Sequence, residues 1–225
     1  MEVNVDWTVS PNSASRFAYL GGKQEFCSCN EVPKSIFRRS SSLSKEVLSL
    51  SGFVTSSNVD YIVFATRHGE LERTHKLLCS LAKKQELSPT QFAQSVHSTA
   101  AGLLTIANQL PVPFTTISAV EDTFAMALIE ALVHLHNNPK SEVCVIYADE
   151  CVPEELTTFV GEQSQCAIAL KIRRGSTYSL KIDNHNNCEG KLGNVENIKA
   201  LIYGLAKDKS FSVCGKTIEI TWTFR

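Results

Sequence analysis

The sequence predicts a single α/β domain in which the strands of a layered sheet alternate with helices. Three observations carry that expectation. Residues 60–66 and 143–148 are short, continuous apolar runs, the pattern of strands buried on both faces. Longer segments of helical period separate and flank them, above all 119–136, where Phe124, Ala127, Leu128, Ala131, Leu132 and Leu135 form one broad apolar stripe. The chain has 225 residues, 43% of them hydrophobic, enough for one sizeable core.

Each element follows from local pattern. Residues 3–7 alternate as a short strand does, and a polar, irregular loop then runs to Pro33. The serines at 40–44 can cap a helix whose Leu43, Val47, Leu48 and Leu50 share one side, which places a first helix near 40–51. After the strand at 60–66, residues 69–84 read as an amphipathic helix carrying Leu71, Leu77, Leu78 and Leu81. Ser88 followed by Pro89 opens another helix, with serine as cap and proline at the first helical position. Residues 96–110 form a helix rich in small side chains (Ala100, Ala101, Gly102, Ala107) that lets a neighbouring backbone come close, until Pro111 and Pro113 stop it. Residues 114–118 are the next strand and lead into the long helix, whose acidic start at Glu121 and Asp122 suits the positive end of its dipole. Strand 143–148 is followed by a short helix opened by Pro153. Residues 165–172 and 177–182 read as neighbouring strands joined at Arg174 and Gly175, and the chain closes with a helix at 195–206 and an alternating strand at 217–224.

Composition excludes several classes. A net charge of −1 leaves no overall electrostatic footprint for nucleic acid or an anionic membrane. No apolar run approaches the ~18 residues of a membrane span, and the start Met-Glu-Val-Asn-Val-Asp lacks the features of a secretory signal, so a soluble, cytoplasmic protein is expected. The eight cysteines are scattered, several within apolar periodic segments where a free thiol serves as a small hydrophobe. Cys27 and Cys29 form the one close pair, without the second pair or the histidine spacing of a zinc site, and no metal or cofactor is expected. No Gly-rich phosphate loop follows any strand, which argues against a nucleotide-binding domain.

The segment from Phe114 onward sets a sharp turn between a buried strand and a long helix, where many acyl-transfer enzymes hold a nucleophile. Here the turn offers Ser118 and Ala119 and no cysteine. Ser118 requires an adjacent general base, and none adjoins it in sequence, so His68, His75 or His97 would have to approach through the fold. Arg38 and Arg39 read either as a solvated surface or as a site for an acidic partner.

Four ordered stretches, at 65–74 (Ala-Thr-Arg-His-Gly-Glu-Leu-Glu-Arg-Thr), 87–98 (Leu-Ser-Pro-Thr-Gln-Phe-Ala-Gln-Ser-Val-His-Ser), 116–125 (Thr-Ile-Ser-Ala-Val-Glu-Asp-Thr-Phe-Ala) and 148–154 (Ala-Asp-Glu-Cys-Val-Pro-Glu), resemble the β-ketoacyl synthase-like N-terminal domain. The chain is most similar to the short chain-length-factor-like subunits of bacterial aryl polyene clusters, over roughly residues 1–175. The resemblance implies a truncated thiolase-like fold, a mixed sheet with helices on both faces, amounting to about one thiolase half plus a C-terminal extension at 176–225. It also implies that the family's cysteine is replaced at Ala119, and that the two histidines of the missing half are absent, His185 being the lone histidine of the C-terminal region.

A partner is implied as well. The resemblance predicts a catalytically inactive subunit that pairs with a full-length catalytic ketosynthase through the strand Phe114, Thr115, Thr116 and Ile117, with His97 near the interface. Leu103, Leu104, Ile106 and Ala107 are candidates to face the partner's acyl tunnel, or else pack this chain's own core. Acyl carrier protein, being acidic, is a further candidate partner for Arg38, Arg39 or Arg67. The alternative is an enzyme in its own right, condensing or hydrolysing acyl thioesters through Ser118.

Overall fold

The computed structural model of the chain describes residues 1–13, 32–161, 163–184 and 194–225. The polar loop before Pro33 and the positions Cys27, Cys29, His185 and Cys188 lie outside the described residues. Eight strands are present among the described residues: β1 (Glu2–Val9), β2 (Tyr61–Ala65), β3 (Phe114–Ile117), β4 (Glu142–Asp149), β5 (Cys166–Arg174), β6 (Tyr178–Asn184), β7 (Phe211–Cys214) and β8 (Ile218–Phe224). They form one mixed sheet in the order β3-β2-β4-β5-β1-β6-β8-β7. β2 runs parallel to β3 and β4, and the other pairings are antiparallel.

The helices are α1 (Lys34–Arg39), α2 (Ser42–Leu48), α3 (Ser51–Thr55), α4 (Leu71–Ala82), α5 (Pro89–Ala93), α6 (Thr99–Ala107), α7 (Thr123–Asn137), α8 (Thr157–Val160) and α9 (Asn194–Ala206). The continuous apolar runs are explained by two covered faces. Successive strand side chains alternate, so Val63, Ala65, Val145 and Tyr147 pack under α7 and α9, while Ile62, Phe64, Cys144 and Ile146 pack under α2, α3 and α6. On the second face Ala100, Ala101, Ala148, Ala167 and Ala169 are all buried, and the small side chains of Ala100, Ala101 and Ala107 let α6 settle close to α2, while Gly102 faces open space. The mixed sheet with helices on both faces is therefore present as expected.

Two expectations fail for physical reasons. The strands at 165–172 and 177–182 are not neighbours, because β1 inserts between them and is antiparallel to both. Having run the length of β1, the chain steps over its beginning and continues in the same direction as β6. Asn4 holds this step, its Oδ1 accepting from the Ser176 and Thr177 backbone N–H groups (3.0 and 3.2 Å) and from the Thr177 hydroxyl (2.8 Å). Gly175 sits so close to the Asn4 side chain that a Cβ would overlap it. In α4, only Leu77 of the four predicted leucines is buried; Leu78 and Leu81 are each 59% exposed, since the helix meets this chain along one narrow row.

Gly175→Ala is expected to lower unfolding free energy by about 1–3 kcal/mol, because Asn4 must give way. Gly102→Ala, a helical site with open space around it, should leave stability equal or slightly higher. Urea midpoints of the two variants test the step over β1.

Candidate functional site

The parallel strands β2, β3 and β4 end at one edge of the sheet, where three loops meet. The chain turns out of β4 with two consecutive buried carboxylates, Asp149 and Glu150, which the period of two directs to opposite faces. Asp149 accepts from the Thr66 hydroxyl (2.8 Å), the Arg67 N–H (2.9 Å), the His68 N–H (3.4 Å) and the Tyr147 hydroxyl. Burial pushes its carboxyl above the ordinary carboxylate range, opposed chiefly by the hydrogen bonds from Tyr147 and Thr66. Thr66 also accepts from the Gly69 N–H, and Gly69, at φ +62°, lies under the His97 ring.

Glu150 faces the other way. One oxygen accepts from the Glu72 N–H at the start of α4 (2.9 Å), a backbone hydrogen bond from Leu43 reaches it from α2, and the second oxygen has no partner among the described residues. Burial pushes this carboxyl up to about 7. Glu70 completes the junction, accepting from the Ser41 and Ser44 hydroxyls and pairing with Arg73.

The elbow is built against the same loop. Ser118 donates to the Arg67 carbonyl (2.8 Å), while the Arg67 guanidinium pairs with Glu121 at 3.4 Å. The Ala119 N–H donates to the Thr123 hydroxyl (2.9 Å), which donates to the Val120 carbonyl (2.8 Å). Ala119 is not the apex. Val120 is, a β-branched residue held at φ +52° and 54% exposed, at the head of a single 3-10 turn that enters α7. That backbone region is strained for any β-branched residue. Asp122 does more than suit a helix end: its carboxylate accepts from the Thr217 N–H (3.2 Å) and hydroxyl (2.9 Å), and it fills the space where a Cβ on Gly215 would lie. The β7–β8 turn is thus latched to the elbow across 95 positions of sequence, a link with no local signal to predict it.

Among the predicted residues, His68 and His97 lie beside this junction. One His97 ring nitrogen donates to the Thr66 carbonyl, and Nε2 of both histidines is buried without a partner among the described residues. Burial lowers both pKa values and favours the neutral imidazoles. Neither bonds Ser118, whose proton is committed to a carbonyl. His75 is on α4, in contact with Cys79. Phe114, Thr115, Thr116 and Ile117 form the edge strand β3, which pairs on one side with β2 alone. On α6, Leu104 and Ala107 are buried against this chain's own core, Leu103 is half-buried, and Ile106 is 68% exposed. Arg38 and Arg39 are exposed at the end of α1, whereas Arg67 is engaged with Glu121. Among the described residues no group of three or more His, Cys, Asp or Glu is placed to hold a metal ion, and no helix is long and apolar enough to cross a membrane.

A family model described as β-ketoacyl synthase, N-terminal domain, matches residues 9–223. The chain belongs to the β-ketoacyl synthase family. The match runs through the C-terminal strands as well as the stretches that carry the sequence resemblance. This ketosynthase-like chain superimposes with a TM-score of 0.82 on a chain of the complex between the ketosynthase ApeO and its chain length factor ApeC from Xenorhabdus doucetiae, at 26% identity and 99% coverage of both chains. It also matches the ishigamide ketosynthase/chain length factor (TM-score 0.53, 15% identity, 75% of this chain and 55% of the other). A β-ketoacyl synthase from Burkholderia phymatum STM815 gives TM-score 0.53 at 10% identity, over 90% of this chain and 62% of that one. These last two likenesses establish the thiolase-like ketosynthase fold. A search of curated proteins found no match.

Two stability measurements probe the site. Val120→Gly is expected to stabilise the fold by about 1 kcal/mol, relief of left-handed strain outweighing the added chain entropy; a lower thermal midpoint would show Val120 unstrained. Glu150 binds its proton more tightly folded than unfolded, so it contributes stability at low pH that is lost as pH rises between about 4.5 and 7. Glu150→Gln should therefore gain on the native chain by up to about 3 kcal/mol between pH 4.5 and 8, read as the difference between their urea titrations; parallel curves would exclude it.

Proposed function

We propose that this chain is a catalytically silent chain-length-factor subunit that pairs with a full-length catalytic ketosynthase and shapes the acyl cavity of the pair. One observation carries the reading: the elbow keeps its strained apex and its helix, yet presents Val120 there with Ala119 and Ser118 behind it, so no thiol stands at the helix N-terminus to attack a thioester. Full-length similarity to a chain of a ketosynthase–chain length factor complex supports it.

The interface proposed is the open edge of β3, Phe114 to Ile117, with His97 behind it, since an edge strand offers unpaired backbone groups to a counterpart. Exposed Val120, three residues past the end of the strand, extends the apolar surface available for pairing. Of the tunnel candidates, Ile106 and Leu103 are the ones with surface to offer; Leu104 and Ala107 would act only through the position of α6. Arg38 and Arg39 are proposed to steer acidic acyl carrier protein, and a polyene-type, fatty-acid-like product is the expected outcome. The competing reading, an acyl-thioester enzyme using Ser118, has weaker support because that hydroxyl is bonded to a carbonyl and to no base.

Mixed with its cognate catalytic ketosynthase, the chain is expected to sediment as one heteromeric complex, weakened by Phe114→Asp. Separate monomers would sink the pairing. Ile106→Ala should shift products to longer chains, and an unchanged distribution from an intact complex would remove the cavity role. Turnover of an acyl thioester by the isolated chain, lost in Ser118→Ala, would establish the enzyme reading instead.

A further inference from the structure

The α4 side chains Glu72, His75, Lys76 and Cys79 recur at steps of three and four and so share one face of the helix, which Lys83 continues just past its end. Opposite them runs the segment 151–155 that leaves β4, and between the two lies an open groove of about 580 Å³. Its thiols are unusual for this chain. Of the five cysteines among the described residues, Cys144 and Cys166 are buried and Cys214 is partly so; the two exposed ones, Cys79 and Cys151, both line this groove. Burial pushes the Cys144 thiol up to about 12, which keeps it inert. Cys79 instead has a base at hand, His75 Nε2 lying 3.5 Å from its Sγ one helical turn away.

We propose that this groove is a thiol–disulfide exchange site, in which Cys79 is the attacking thiol, His75 takes its proton, and the co-reactant is a low-molecular-weight disulfide of the glutathione class. In the step, the Cys79 S–H proton passes to His75 Nε2 and Sγ attacks one sulfur of the disulfide. The S–S bond of the reagent breaks, a mixed disulfide forms on Cys79, and the departing thiolate takes up the proton as free thiol. Cys79 is oxidised and one half of the reagent is reduced. The sulfur sits in the last turn of α4, away from the helix's positive end, so activation rests on His75. Lys83, which follows α4 and lines the same groove, is placed to meet a carboxylate of the entering molecule. The site is separate from the elbow and does not depend on its function.

The test is the rate of modification by glutathione disulfide, site by site, from peptide mass mapping of the intact chain. At pH 7 Cys79 should react ahead of Cys151 and Cys214. His75→Gln should slow Cys79 about tenfold at pH 7 while leaving its rate at pH 9.5, above the ordinary thiol range, unchanged. Equal rates at Cys79 and Cys151 would mean that exposure alone governs the chemistry and would overturn the proposal. So would a His75→Gln rate at pH 7 equal to the native one.

Discussion

Asp149 and Glu150, consecutive and buried at the end of β4, are the constraint on which the functional end of this molecule depends. An isolated buried carboxylate is costly, so each must gather donors. Because neighbouring strand residues point to opposite faces, they gather different things. Asp149 collects the backbone of residues 66–68 and through it the elbow; Glu150 collects the starts of α2 and α4. The two helical layers are thereby registered to a single strand end, and Glu150 keeps one oxygen without a partner among the described residues.

The elbow inherits its shape from that junction. A left-handed valine costs about 1–2 kcal/mol and persists only where the surroundings over-determine it. Three links do so here: Ser118 to the Arg67 carbonyl, Ala119 to Thr123, and Asp122 to the β7–β8 turn. All three are hydrogen bonds to the neighbouring loops or to the following helix, and no thiol takes part in them. The C-terminal strands take part in holding it, and the same sheet that contains the elbow contains them.

What the sequence revealed and what it hid divide along physical lines. Strands β2 and β4 were legible because burial on both faces demands unbroken apolar runs, and α7 because its stripe is broad. The neighbours of β5 were not, since nothing local in residues 165–182 says that β1 will pair in antiparallel register from Val3 to Val9. Leu78 and Leu81 misled for a related reason: amphipathicity reports a surface that wants cover, not whose surface supplies it. In the elbow the missing cysteine was visible, but the left-handed backbone at Val120 was not, because such strain has no signature in a β-branched residue type that normally avoids it. The roles of Asp149 and Asp122 were hidden by distance, their backbone partners lying about 80 or more positions away.

The two ends of the sheet are treated differently, and the difference bears on assembly. β7, at one edge, lies beside α9, where Gly204 admits the Phe211 ring and α9 and the strand close on one another. β3, at the other edge, is four residues long and half-exposed, with Thr116 Oγ1 buried but unpartnered among the described residues. Short edges resist indiscriminate pairing, yet a short edge that begins at exposed Phe114 and leads into exposed Val120 is poorly suited to water. Covering it would remove apolar area worth about 25 cal/mol per Å² and satisfy open backbone groups in one step. The elbow stands at the end of that same strand, three residues beyond Ile117, so whatever covers β3 also meets the exposed Val120.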